Sequence, residues 1–117
     1  MSGEKRIERI NEEILRELSA LLPTLKDPRV HGLTSIVRVD TARDLAVAKV
    51  YVSVFDADSR PQALEGLKAA SGFLRRELAA RLDLRHTPAL TFVADASLAR
   101  GAHVLEILNQ LKRDEKL

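Results

Sequence analysis

Cysteine is absent, which excludes disulfides, thiolate metal sites and cysteine nucleophiles. Tryptophan is absent too, and aromatic residues make up 3% of the chain. A stacking platform of several aromatics for nucleic-acid bases therefore cannot be built. No apolar run reaches membrane-spanning length, and the polar start lacks the apolar core of a signal peptide. We expect no membrane partner and a cytoplasmic setting. Phosphate loops of Walker type and Gly-x-Ser-x-Gly elbows are missing. His31, His86 and His103 are scattered without metal-ligand spacing, which points to structural or surface roles. Asp40, Asp44, Asp56 and Asp58 fall in turns, where capping explains them more cheaply than catalysis. We therefore expect no catalytic residue, no metal and no cofactor. The net charge of +2 is too small to indicate a nucleic-acid partner by itself.

What is present fits an ordinary globular chain: 45% hydrophobic and 31% charged residues over 117 positions. That length supports one domain with a real core. We place the domain at 1–117 and its core at about 4–111, with a charged end that frays. Ile7, Ile10, Ile14, Leu18 and Leu21 recur at steps of three and four, predicting an amphipathic helix over 4–22 closed by Pro23. Pro28 and Gly32 punctuate a connection. A β-branched strand follows at about 33–39, a turn at 40–44 and a second strand at about 45–55. In that second strand Ala46, Ala48, Val50, Val52 and Val54 alternate with Lys49, Tyr51 and Ser53, so one face is buried. The short connection predicts an antiparallel hairpin. Pro61 suits a first helical turn, with Asp58 or Ser59 as cap candidates.

The next stretch organises the chain. Leu64, Leu67 and Ala70 mark the buried side of one helical arm, and Leu74, Leu78 and Leu82 that of a second. Ser71-Gly72 lies between them and weakens the helix there, so we expect a kink at Ala70, Ser71 and Gly72. Residues 60–86 hold six Lys/Arg and three acids, whereas the rest of the chain holds 13 and 14. The positive surplus therefore sits in this segment. Such clustering can mark a phosphate-binding face, although a charged helix is equally the mark of a plain solvated face. A strand at 89–94 follows. Val104, Leu105, Leu108 and Leu111 mark a last helix after a turn at Ser97 and Gly101. The expected architecture is α+β: α-β-β-α-kink-α-β plus a C-terminal helix, with a three-stranded sheet packed on helices.

These segments carry a resemblance. KDPR at 26–29, ARDLAVAKVYVSVF at 42–55, ASGFLRRELAARLDLRHTPALTF at 70–92 and DASLARG at 95–101 resemble the bacterial ribosome-binding factor A family, in the family's order. The resemblance implies a type II KH-like fold with the Ala-x-Gly kink in place of a Gly-x-x-Gly loop, which this chain lacks. It implies a cold-adaptation factor whose partner is the free small (30S) ribosomal subunit and its 16S rRNA, late in maturation and near the 5′-terminal helix. Ribosomal proteins or other assembly factors are further partners to expect, and nothing calls for more than a monomer.

With that resemblance, Arg75, Arg76, Arg81 and Arg85 become candidates for phosphate contact through their planar forks. Arg75 and Arg76 point away from Leu74 and Leu78, while Arg81 has Glu77 as an alternative partner. Lys68, Lys5, Arg6 and Arg9 are secondary candidates. Arg43 lies at a turn, where turn chemistry competes with RNA contact. Lys49, with Tyr51, faces either RNA or a covering helix. A protein-interaction module of the same fold, without direct RNA contact, stays open as the alternative.

Overall fold

A computed structural model describes residues 3–30 and 34–95. It begins with helix α1 (Gly3–Leu21), continued by a 3-10 turn at Leu22–Thr24 that contains Pro23. Strands β1 (Thr34–Thr41) and β2 (Val47–Val54) follow. A 3-10 turn at Ala57–Ser59 leads into α2 (Arg60–Ala69), and α3 (Ser71–Arg81) and β3 (Ala89–Ala94) complete the described chain. The order α-β-β-α-α-β and the α+β class agree with expectation. The expected last helix, with Ser97, Gly101 and His103, lies outside the described residues, as do His31, Gly32 and Leu33.

The sheet order is β1-β2-β3. β1 and β2 form the expected antiparallel hairpin, and β2 and β3 run parallel. A parallel pair needs a crossover, and α2 with α3 provides it. The helices pack on one face. Ile10, Ile14, Leu18 and Leu21 of α1 meet Ile36, Val39, Ala48, Val50, Val52 and Val54 of the sheet and Ala63, Leu67, Leu74 and Leu78 of the crossover helices. Each fully buried Leu, Ile or Val contributes about 1.5–3 kcal/mol. Ala48 is completely buried, and its small side chain lets the helical layer approach the sheet.

Several boundaries differ from the sequence reading. β1 runs on through Asp40 and Thr41, which pair with Lys49 and Ala48; ladder hydrogen bonds override their turn propensity. The turn moves to 42–46. Leu45 adopts φ 61°, a left-handed conformation that ends strand geometry, so β2 begins at Val47 and Ala46 is exposed rather than buried. Asp44 does the turn chemistry, its Oδ1 accepting the Ala46 N–H at 3.0 Å. Neither Asp58 nor Ser59 caps α2 by side chain. Asp56 takes that role one turn earlier, accepting the Asp58 N–H at 3.1 Å and the Ser59 hydroxyl at 2.9 Å.

The kink is real and sits at Ala70, ahead of Ser71-Gly72. Ala70 is the turn residue between α2 and α3, at φ −85°, ψ −2°, the edge of the right-handed helical region. Its N–H bonds the Gly66 carbonyl, and its own carbonyl accepts the Leu74 N–H at 2.9 Å. The Ser71 hydroxyl donates back to the Lys68 carbonyl at 2.7 Å, offering the backbone a partner other than the helical ladder. The two arms thus stay almost continuous, with one residue as the joint.

Candidate nucleic-acid interface

α1 and the end of α3 lie side by side, and their basic side chains line one open groove. Arg6, Arg9 and Arg16 come from α1, Arg81 from the last position of α3, and Arg85 from the turn beyond it. Ile10, Leu82 and Leu84 line it too, and Glu13, Glu17 and Asp83 dilute the charge. The lining still carries five arginines against three acids. The helices meet here because the apolar stripe of α1 and Leu74 and Leu78 of α3 share one core.

The arginines are not equivalent. Arg9 Nε lies 3.4 Å from Glu13 Oε1. Arg81 is held twice, by Glu17 at 3.4 Å and by Glu77 at 3.7 Å; the Glu77 pair is the one anticipated along the helix. Arg6, Arg16 and Arg85 make no ion pair among the described residues. They are the groove's open donors for an anion. Arg16 was not among the sequence candidates. Its signal was there, since Arg9 and Arg16 are seven apart on one helical face, but it gains meaning only once α3 is set beside α1.

The remaining candidates lie apart from one another. Arg75 is exposed, yet its Nε and Nη2 both donate to the Thr87 carbonyl, at 3.1 and 2.9 Å. It fastens the segment between α3 and β3 while remaining exposed. Arg76 is exposed and reaches back toward Gly72, and Lys68 is exposed on α2, so both stand near the kink. Arg43 pairs with Glu4 at 3.6 Å, which joins the hairpin turn to the start of α1. Lys5 is exposed on α1. Lys49 is exposed on the sheet face opposite the helices. Among the described residues no group of three or more His, Cys, Asp or Glu is placed to hold a metal, and no helix is long and apolar enough to cross a membrane.

The α-β-β-α-α-β order, with the crossover divided at Ala70, matches the fold that the sequence resemblance implies. The family model for ribosome-binding factor A matches residues 6–108, nearly the whole chain. The chain belongs to the ribosome-binding factor A family. A ribosome-binding factor A from Acetivibrio thermocellus is 46% identical over 114 residues, covering 96% of this chain and 93% of that protein. One from Thermosynechococcus vestitus is 44% identical, covering 98% and 94%.

Solved structures agree. The crystal structure of ribosome-binding factor A from Thermus thermophilus superposes with a TM-score of 0.68 at 30% identity, covering 75% of this chain and 94% of that one. A Thermotoga maritima solution structure of a putative family member gives 0.67 at 30% identity, covering 80% and 90%. A homology model of the Thermus thermophilus protein, fitted into a cryo-EM map of a complex with the 30S subunit, gives 0.63 at 30% identity, covering 74% and 91%. The family's proteins are ribosome-binding factors, and their fold is the one described above.

Proposed function

We propose that this protein binds the free 30S subunit late in its maturation and contacts folded 16S rRNA around the 5′-terminal helix. It acts in the cytoplasm by binding alone, without covalent chemistry, and supports growth in the cold. The observation that carries the contact is the groove holding Arg6, Arg16 and Arg85, which have no ion-pair partner among the described residues, beside Arg9 and Arg81. Guanidinium forks donate in pairs to phosphate oxygens. The scarcity of aromatics and the absence of a Gly-x-x-Gly loop favour recognition by shape and backbone charge. Arg76 and Lys68 extend the contact along the kinked crossover.

The test is sedimentation with isolated small subunits and with intact ribosomes at two salt concentrations. Wild type is run beside Arg16→Glu/Arg85→Glu and beside Arg76→Glu. Arg75 is left intact because its substitution would also release Thr87. Each phosphate contact adds about 0.9 to the log–log salt slope. Three contacts therefore weaken binding roughly 40-fold between 50 and 200 mM salt, and five roughly 500-fold. Co-migration with free small subunits, lost at high salt and in the folded groove variant, is the expected result. Undiminished binding by that variant would refute the groove, and no association at all would refute the reading.

A further inference from the structure

The outer face of the sheet carries a feature the RNA groove does not use. β1 is irregular between Ile36 and Arg38. Ile36 points into the core, and strict alternation would send Arg38 there as well. An extra residue at the bulge re-aims the strand, so Val37 and Arg38 are both exposed before Val39 returns to the core. The bulge delivers Arg38 opposite Tyr51, with its guanidinium carbon 4.1 Å from the ring centroid. Arg38 makes no ion pair among the described residues. Lys49 is exposed two positions along β2, beside Thr91 of β3. Arg38 and Lys49 thus share one face of the hairpin with Tyr51, on a surface that also holds Ser35, Ser53, the exposed Val37 and Val47, and Asp40 directly across from Lys49.

We propose that this Arg38–Tyr51 stack receives one unpaired RNA base, with Lys49 on the adjoining phosphate. The inference rests on the reading that the protein binds rRNA, and adds a second, single-stranded contact on the face opposite the helices. The exposed Arg38 guanidinium over the ring is a planar cationic group of the kind that stacks on any base. A lone stack with a neighbouring cation suits one splayed base, whereas a duplex keeps its bases inside.

The molecule carries its own reporter, because Tyr51 is the single tyrosine and tryptophan is absent. Tyrosine emission of the full chain is titrated with a single-stranded octauridine and with a blunt RNA duplex. Saturable quenching by the single strand and none by the duplex is expected. Arg38→Lys keeps the charge and loses the planar stack, so it should weaken octauridine binding roughly five- to tenfold. Equal quenching by duplex, or full retention in Arg38→Lys, would overturn the base-stacking assignment. Unchanged emission from protein that still sediments with small subunits overturns this inference alone; failure of that sedimentation as well counts against the rRNA reading beneath it.

Discussion

Two glycines in the crossover helices offer a matched pair of substitutions with opposite expected outcomes. Gly66 lies inside α2. A Cβ there would stand 2.6 Å from Val30 Cγ2 and 3.2 Å from Arg29 Cβ. Val30 is buried and stiff at χ1, so its methyl cannot swing aside unless the 27–30 loop moves. That loop is braced, since Asp27 accepts the Arg29 N–H at 2.9 Å and holds its guanidinium at 2.7 Å. Replacing Gly by Ala in a helix interior gains about 1 kcal/mol. Against this, displacing Val30 forfeits about 1.5–3 kcal/mol of burial, and overpacking strain is of similar size. Gly66→Ala should therefore destabilise by about 1–3 kcal/mol. At Gly72 the added Cβ meets only Arg76 Nη1, at 3.5 Å, an ordinary contact. Gly72→Ala should be neutral or stabilising by up to about 1 kcal/mol.

Thermal unfolding of the full chain reads the pair, at about 4 °C per kcal/mol for a domain of this size. Gly66→Ala should melt about 4–12 °C below wild type, and Gly72→Ala at or slightly above it. A Gly66→Ala protein as stable as wild type would refute the close seating of the 27–30 loop on α2. A Gly72→Ala protein that melts as early as Gly66→Ala would show that the kink needs glycine for its backbone rather than for space.

Other expectations follow from single contacts. Among the described residues Thr41 Oγ1 is buried without a hydrogen-bond partner, so Thr41→Val should raise stability by about 1 kcal/mol in urea unfolding; destabilisation would mean the hydroxyl is satisfied. Glu17→Gln removes a carboxylate from the arginine groove and frees Arg81 of one partner. It should tighten small-subunit binding roughly two- to threefold while changing stability by less than about 0.5 kcal/mol, measured by sedimentation and melting. The hydrogen bonds from the Arg29 side chain, and then from its backbone, hold the Asp27 carboxyl below the ordinary aspartate range. A depressed folded value means that the pair's stabilisation is present above the unfolded value and fades as pH falls through the folded one. Because Arg29 is exposed and Asp27 only half-buried, the effect is small. It is seen as an acid-shifted Asp27 titration by NMR that returns to the ordinary range in Arg29→Ala.

The secondary elements were legible because each depends on local periodicity. Steps of three and four among Ile7, Ile10, Ile14, Leu18 and Leu21 specify a helix face. Alternation through Ala48, Val50, Val52 and Val54 specifies a strand with one buried side, and these four are buried. The crossover break was legible as a weakness spanning Ala70, Ser71 and Gly72; that Ala70 is the joint within it depends on which carbonyls the Ala70 and Leu74 amides find. The ends of the hairpin were less legible. Asp40 and Thr41 have turn propensity, yet their register against Lys49 and Ala48 draws them into β1.

The sequence by itself determined the family, the element order and the clustering of positive charge in the crossover, since all three reside in local composition and motif. Only the tertiary structure decided which charges act together. It brought Arg6, Arg9 and Arg16 beside Arg81 and Arg85, turned Arg75 onto the Thr87 carbonyl, and used a bulge to lay Arg38 on Tyr51. Those partners are 12 to 79 positions apart along the chain. Their meeting is set by how helices and strands share one core, and no local pattern encodes that distance.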